Sequence, residues 1–178
     1  DKKLNLSSYY LKPGYAYGGS CLPKDLKGLN MLAYDNYLKT PLLNAIEKSN
    51  ENIKNIALSL IMKENKKNIG IVGLSFKKGT DDLRQSPAVE LCEGLIGKGY
   101  NVKIYDENIS LTKLTGTNKN YIDTHIPHLS KLIIDNFNEL TNFSEIIVIT
   151  QKLKILDDIN LESKNKKIID LIRISGKS

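Results

Sequence analysis

Short runs of isoleucine and valine recur along the chain from Asn68 onward, and stretches with helical spacing separate most of them. This alternation is typical of parallel strands joined by helices, because a parallel connection needs a long crossover. The predicted strands are 69–72, 102–105, 146–149 and 168–172, with a weaker candidate at 133–134. We therefore predict an α/β fold whose Rossmann-like doubly wound sheet domain binds its ligand at the carboxyl ends of the strands.

The helix after the first predicted strand has clear start and stop signals. Ser86 can cap it, Pro87 suits its first position, and a Gly-Lys-Gly stretch ends it. Cys92 falls on the apolar face of this helix and is predicted to lie in the core. Further helices are predicted at 137–143 and 153–159.

Two helices are predicted ahead of the sheet domain, at 23–34 and 41–63. Thr40 can cap the longer one, and Pro41 suits its first position. Apolar residues recur at steps of three and four along this helix, and a stripe of that length needs a partner, either the first helix or a second subunit. The composition changes after these helices, so we predict two domains. They are an active-site loop with a helical region, 1–65, and the sheet domain, 66–178.

A thiol stands in a distinctive setting in the segment YGGSCLPKD, residues 17–25. The Gly-Gly pair lets the backbone approach a ligand closely, and Pro23 starts a helix directly after Cys21. A helix N-terminus and a neighbouring cation, here Lys24, both favour the thiolate that acts as a nucleophile. Cys21 is therefore predicted to carry covalent catalysis. The alternative is a small buried apolar residue, as many free cysteines are.

The turn after the first strand is a second candidate site. In a doubly wound sheet this turn commonly binds phosphate through N–H groups at the start of a helix. Its glycines do not reproduce the GxGxxG pattern, so NAD is not expected to bind here in the usual way. Lys77, Lys78 and Arg84 could contact anionic groups, or the loop could be a solvated basic turn. Asp106, at the end of the second strand, is predicted to be a strand-end cap or a ribose contact rather than an NAD selector.

Composition narrows the class of protein. The 178 residues carry a net charge of +6, which permits a nucleotide partner, but the lysines are scattered and no basic, aromatic stripe indicates nucleic acid. No apolar run could span a bilayer and no secretory signal is visible, so membrane association is not expected. Two distant cysteines favour reduced thiols in a cytoplasmic protein. His125 and His128 are predicted to lie in a loop without a catalytic role, and no metal site is predicted.

Two long motifs resemble those of a known family. GGSCLPKD resembles the active-site signature of the nucleotide-sugar 6-dehydrogenases, also called the UDP-glucose/GDP-mannose dehydrogenase family. GLSFKKGTDDLRQSPAVEL, residues 73–91, is similar to the signature of the same family's C-terminal domain. The later stretches KGYNVKIYD and GTNKNYIDTHIPHLSKLI look most like the GDP-mannose branch, so the resemblance covers nearly the whole chain.

The resemblance implies an NAD-dependent oxidation of a sugar's primary alcohol to a carboxylate. In such a reaction Cys21 would add to the intermediate aldehyde as a thiohemiacetal, and a second oxidation would give a thioester that water hydrolyses. By the same resemblance, Asp25 positions the hydrolytic water or acts as a base, Lys24 favours the thiolate or contacts the cofactor, and Arg84 reaches the NAD.

Substrate contacts are also implied. Lys77 would contact the sugar nucleotide, and the loop before the thiol would add contacts at Tyr9, Tyr10, Lys12, Tyr15 and Gly18. Judged on the residues alone, these tyrosines could equally be ordinary loop packing. The GDP-mannose branch has arginine where this chain has Lys12, and lysine keeps the charge but loses the guanidinium fork. The resemblance further implies a homodimer held together through the helical region.

The chain begins close to the thiol segment and without methionine. We therefore expect a C-terminal fragment that lacks the NAD-binding domain, binds GDP or a GDP-sugar weakly, and has no dehydrogenase activity alone. GDP-mannose is the favoured substrate, in polysaccharide biosynthesis. UDP-glucose or UDP-N-acetylmannosamine is the alternative, because both long motifs are shared across branches. An alternative from another class is a non-catalytic, nucleotide-binding dimerisation module.

Overall fold

The computed structural model describes residues 14–77, 79–109, 116–158 and 166–174 of the chain. Its centre is a sheet of four parallel strands in the order β2-β1-β3-β4. The strands are β1 (Asn68–Val72), β2 (Asn101–Tyr105), β3 (Ile146–Ile149) and β4 (Lys167–Asp170). In this register Ile69 lies beside Val102 on one side and Ile146 on the other. Strand β3 is buried along its whole length, which explains its unbroken apolar run.

Helices cover both faces of the sheet. They are α1 (Leu22–Asp35), α2 (Pro41–Lys63), α3 (Pro87–Gly97), α4 (Gly116–His125), α5 (Pro127–Ser130), α6 (Phe137–Phe143) and α7 (Ile155–Asp158). On one face Ile69 and Ile71 share a core with Cys92 of α3, and on the other Val72 shares a core with Leu140 of α6. The alternation follows from the two-residue period of a strand. The predicted α/β fold with a doubly wound parallel sheet is confirmed.

The weak strand candidate at 133–134 is reduced to a single bridge on the outer edge of β2. Ile133 pairs with Ile104 in parallel, and the Ile134 N–H donates to the Ile104 carbonyl at 2.9 Å. The bridge stands where the third strand of a doubly wound sheet would lie. The last strand also ends earlier than predicted, because the Ile172 N–H turns back to Asp170 Oδ1 at 3.1 Å.

The predicted helix starts differ in their capping. Ser86 caps α3 as predicted, since its Oγ accepts from the Ala88 N–H at 3.3 Å. Thr40 occupies the cap position of α2, but its side chain accepts no capping hydrogen bond, and Pro41 is the first helical residue. The predicted division between 1–65 and 66–178 falls in the connection between α2 and β1 and stays a prediction.

The prediction of a loop around His125 and His128 is wrong. His125 ends α4 and His128 lies in α5. The buried residues here are Ile122, Ile126 and Leu129, which follow one another at steps of four and three. That spacing indicates one apolar helical face, and it is present in the sequence.

The long helix α2 is buried only towards its C-terminal end. Ala57 and Ile61 are 2% and 0% exposed and pack towards the sheet domain. Earlier on the same helix, Leu42 is 77% exposed and Ile53 is 40% exposed. The face predicted to need a partner is therefore open in the described chain. Within that part of the chain, no helix is long and apolar enough to cross a membrane.

Candidate active site

Cys21 is exposed and lies at the N-cap of α1, directly before Leu22. Its Sγ is 3.8 Å from Ser20 Oγ, and its carbonyl oxygen accepts the Asp25 N–H at 2.8 Å. A helix N-terminus leaves N–H groups unsatisfied and carries the positive end of the helix dipole, and both favour an anion. Its exposure shows that Cys21 is not part of the core of the described chain.

Lys24 pairs with its neighbour in sequence. Its Nζ lies 3.2 Å from Asp25 Oδ1, and the two side chains are 73% and 67% exposed. An exposed ion pair of this kind is weak and screened by salt, so both groups remain available to a ligand.

Arg84 is held in place by the carboxylate of Asp82. Its Nε donates to Asp82 Oδ1 at 2.9 Å and its Nη2 to Asp82 Oδ2 at 2.7 Å, which is a two-pronged fork. These hydrogen bonds hold the pKa of Asp82 below its ordinary value. The pKa of Arg84 is raised, chiefly by its hydrogen bonds to Asp82. Arg84, from the second sequence motif, directly precedes Gln85, whose carbonyl oxygen accepts the Gly19 N–H of the thiol segment at 3.4 Å.

The two glycines before the thiol bring the two motifs into contact. A Cβ on Gly18 would lie 2.1 Å from the Gln85 carbonyl oxygen and 2.7 Å from Pro87 Cδ. A Cβ on Gly19, whose φ is +88°, would lie 2.7 Å from the Phe76 ring. From the sequence, this glycine pair is predicted to let the backbone approach a ligand closely. In the structure, the loop of the sheet domain itself occupies that space, so the thiol segment and the turn after β1 form one surface.

A side chain of α2 holds the thiol segment from the other side. Asn50 Oδ1 accepts the Tyr17 N–H at 2.9 Å, and Asn50 Nδ2 donates to the Tyr17 carbonyl at 3.1 Å. A lone asparagine on a helix carries no local signal of such a contact, because its partner lies 33 residues away in the sequence.

Asp106 closes the turn after β1. It is 4% exposed, and its Oδ2 accepts the N–H groups of Leu74 and Ser75 at 2.8 and 3.2 Å. Its Oδ1 accepts the backbone and side-chain N–H groups of Asn108 at 2.9 and 3.1 Å. Asp106 is therefore a strand-end cap. Because it occupies the amides that would face a pyrophosphate, the turn does not fit a dinucleotide.

A buried polar pair supports the same loop and was missed from the sequence. Gln151 Nε2 donates to the carbonyl and to Oγ of Ser75, both at 3.1 Å, and the Ser75 hydroxyl donates to the Lys77 carbonyl at 3.2 Å. Gly73, with φ +95°, is required here because a Cβ would lie 2.4 Å from Gln151 Cβ. The available signal was a glutamine two residues after a fully apolar strand. Lys77 itself is exposed at the end of this braced segment.

The structure describes only some of the remaining residues that are predicted to contact the substrate. Tyr9, Tyr10 and Lys12, like Lys78, lie outside the described residues. The Tyr15 hydroxyl is buried, and no hydrogen-bond partner for it is found in the part of the chain that the structure describes. Burial, with Glu90 and Cys92 adding to it, raises the pKa of Tyr15 well above its ordinary value.

Cys92 is buried in the core, and the two histidines make polar contacts with neighbouring side chains. Cys92 is 0% exposed, and burial raises the pKa of its thiol far above the ordinary value, so its core placement is confirmed. His125 Nδ1 lies 2.7 Å from Thr124 Oγ1, and His128 Nε2 lies 3.3 Å from Glu93 Oε1. Among the residues with described positions, no cluster of three or more metal-ligating side chains occurs.

Comparison with known proteins gives two family matches along the chain. The model for the UDP-glucose/GDP-mannose dehydrogenase family, central domain, matches residues 1–52. The model for the UDP binding domain of the same family matches residues 70–176. The thiol segment lies in the first match, and the Lys77–Arg84 loop lies in the second.

Relatives agree with these matches. GDP-mannose 6-dehydrogenase from Pseudomonas aeruginosa is 43% identical over 173 residues, which are 97% of this chain and 40% of the relative. UDP-glucose 6-dehydrogenase from Rickettsia bellii is 37% identical over 71% of the chain and 30% of its own length. The crystal structure of a ternary complex of the Pseudomonas aeruginosa GDP-mannose dehydrogenase superposes with a TM-score of 0.89 at 44% identity, covering 96% of this chain and 39% of that one. The chain thus spans about 40% of the length of these GDP-mannose relatives.

The fold, the paired motifs and the two family matches agree on one family, and the chain carries both of its matched domains in the expected order. The chain belongs to the UDP-glucose/GDP-mannose dehydrogenase family.

Proposed function

We propose that the protein of which this chain forms part oxidises the C6 alcohol of GDP-mannose to a carboxylate, with Cys21 as the nucleophile. The observation that carries the proposal is an exposed thiol at the N-terminus of α1, in a segment whose glycines pack against the loop bearing Arg84. The identity to GDP-mannose 6-dehydrogenases over nearly the whole chain supports this choice of substrate. Because the chain matches about 40% of those relatives, the activity belongs to the longer protein.

The proposed role of Cys21 begins at the aldehyde stage. The thiolate adds to C6, a proton reaches the carbonyl oxygen, and a thiohemiacetal forms. Oxidation at C6 with loss of the hydroxyl proton then gives a thioester. Water adds to the thioester carbonyl, the sulfur leaves as a thiolate, and the carboxylate product is released. Asp25, four residues further along α1 and exposed, is proposed to position this water or to take its proton.

NAD is the proposed cofactor, and when bound it would accept the hydride in both oxidations. The turn after β1 does not fit it, since Asp106 occupies the amides of Leu74 and Ser75. We therefore propose that NAD binds mainly to parts of the longer protein outside this chain. Within the chain, Lys24 and Arg84 are the proposed contacts, because both are exposed cations beside the thiol segment.

Substrate binding is proposed on the same surface. Lys77 is exposed on the braced loop and can reach a phosphate or a sugar hydroxyl. Gly18 and Tyr15 lie in the segment leading to the thiol, and Tyr9, Tyr10 and Lys12 are proposed contacts by family resemblance alone.

A homodimer in the cytoplasm is the proposed assembly. The open apolar face of α1 and α2 supports a protein partner, because large exposed apolar patches mark interaction sites. Its most exposed aliphatic members are Leu22, Met31, Leu32 and Leu42, and Leu38 in the connection between the two helices is exposed as well.

An assay of the longer protein tests the proposal. NAD-dependent turnover is measured with GDP-mannose, UDP-glucose and UDP-N-acetylmannosamine. We expect kcat/KM for GDP-mannose to exceed kcat/KM for either UDP-sugar by about 100-fold or more. A site that hydrogen-bonds one base leaves its polar groups unpaired when another base binds. Preference for a UDP-sugar would instead support the second candidate substrate, which the match to a UDP binding domain favours. We expect Cys21→Ser to abolish uronate formation, and unchanged formation would overturn the thiol mechanism.

Thiol labelling separates an enzyme from a non-catalytic module. Alkylation of Cys21 by iodoacetamide is expected to be fast, while Cys92, buried and with a raised pKa, reacts only after unfolding. Equally slow alkylation of both would favour the inert module. The isolated 178 residues are expected to bind GDP weakly and to show no turnover, and turnover by this chain alone would contradict that expectation.

A further inference from the structure

One side chain of α2 satisfies both backbone groups of a single residue in the thiol segment. Asn50 accepts from the Tyr17 N–H at 2.9 Å and donates to the Tyr17 carbonyl at 3.1 Å. A planar carboxamide carries an acceptor and a donor side by side, so it can replace the neighbouring strand that a loop residue lacks. The contact joins residues 33 positions apart in the sequence.

Flexible backbone separates this anchor from the sulfur. Gly18 and Gly19 lie between Tyr17 and Cys21, and glycine loses more conformational freedom on ordering than any other residue. A backbone hydrogen bond from this segment to the sheet domain runs from the Gly19 N–H to the Gln85 carbonyl at 3.4 Å, which is long. The two hydrogen bonds of Asn50 are shorter, so they are the tighter restraint on the segment.

The helix that carries Asn50 is itself tied to the sheet domain. Lys54, one turn further along α2, lies 2.6 Å from Glu51 and also pairs with Glu90 of α3. Its side chain is only 15% exposed, so this link is better shielded from solvent than an ordinary surface pair. A contact path therefore runs from α3 through Lys54 to α2, and from Asn50 to the backbone of the thiol segment.

We infer that Asn50 is a positioning residue for Cys21: it keeps the segment that carries the thiol packed against the loop that bears Arg84. The inference rests on the proposed role of Cys21 as the nucleophile. Asn50 touches no reacting atom, so it acts through Tyr17 and the two glycines. When it is removed, the segment can leave the surface formed with the turn after β1.

The test compares three variants of the longer protein: Asn50→Ala removes both hydrogen bonds, Asn50→Asp keeps the acceptor for the Tyr17 N–H, and Asn52→Ala is the matched control. Asn52 is exposed on the same helix, two residues away. The first measurement is the rate of Cys21 alkylation by iodoacetamide at pH 7 without substrate or cofactor. For Asn50→Ala we expect it to fall about threefold or more, because the segment that carries the thiol is no longer held against the loop that bears the cation of Arg84. Asn50→Asp should lie between Asn50→Ala and wild type, and Asn52→Ala should equal wild type.

The second measurement is steady-state kinetics. For Asn50→Ala we expect kcat to fall about tenfold to 100-fold, since small displacements of a reacting group cost that much. KM for the nucleotide sugar should change far less. Loss of thermal stability and kcat with unchanged alkylation would mean a merely structural role and would overturn the inference. If Asn50→Ala does not fold, Asn50→Asp decides the question by the same two readouts.

The experiment also separates this inference from the proposed function. If Cys21→Ser keeps its activity, the proposed function fails whatever Asn50 does. If Cys21→Ser is inactive while Asn50→Ala and Asn50→Asp both match wild type in alkylation and kcat, only the positioning role is overturned.

Discussion

Arg84 and Asp82 are joined by three hydrogen bonds, two from the guanidinium and one from the Arg84 backbone N–H. The guanidinium is therefore held in one orientation although its side chain is 49% exposed. A fixed cation loses less entropy on meeting an anion than a free lysine does. Arg84 therefore carries a charge of fixed orientation near the thiol segment. Lys24, inside the segment, has no such fork to hold its ammonium group.

The Asp82–Arg84 fork predicts how stability changes with pH. The pKa of Asp82 is lowered in the folded protein, so its stabilising contribution is present above the unfolded value, about 3.9, and is lost as pH falls through the lower folded value. We expect Asp82→Asn to be less stable than wild type at pH 7 and the difference to shrink towards pH 3. Urea unfolding at several pH values measures it, and a difference that does not change with pH would contradict the prediction.

Replacing Asp106 should destabilise the fold more than replacing an exposed aspartate. Asp106→Ala leaves the Leu74 and Ser75 N–H groups buried without an acceptor, which should cost about 3 kcal/mol of unfolding free energy. Asp123→Ala on the exposed side of α4 is the control and should change stability by about 0.5 kcal/mol or less. Equal effects of the two substitutions in urea unfolding would show that Asp106 does not brace the turn.

A methyl group on Gly18 should separate the two motifs. Gly18→Ala places a Cβ 2.1 Å from the Gln85 carbonyl oxygen, so the thiol segment must move away from the sheet domain. We expect the longer protein to lose about 100-fold in kcat through this displacement. Gly28→Ala, in α1 with nothing within 4 Å of the new Cβ, should keep full activity and raise the stability of α1 by up to about 1 kcal/mol. Full activity of Gly18→Ala would mean that the two motifs need not touch.

A charge on the open face of α2 should weaken the proposed dimer. Leu42 is 77% exposed here, and Leu42→Lys would bury an unpaired ammonium in an apolar interface. Light scattering of the longer protein should then show the monomer mass at low micromolar concentration. Lys48→Glu, at another exposed position on the same helix, serves as the control for a change of charge. A dimer that survives Leu42→Lys would place the interface elsewhere.

Several elements were predictable because their signals are local. The apolar runs of β1 and β3, the Ser86-Pro87 start of α3 and the buried position of Cys92 follow from residues within one element. The helix around His125 was missed because its apolar spacing is interrupted by Pro127, which in fact begins the next helix. A proline in a helical pattern can mark either a break or the start of a new helix. The contacts of Ile122 and Leu129 are needed to decide between these two interpretations.

The four strands, the helices with clear start signals and the family could be predicted from the sequence, because periodicity and continuous motifs carry that information. The contacts between distant side chains around the thiol segment could be known only from the folded chain. Asn50 reaches Tyr17 across 33 residues, and Asp106 accepts the Leu74 and Ser75 N–H groups from the next strand. The physical reason is that a hydrogen bond depends on distance and direction in space, and the path of the folded chain sets both.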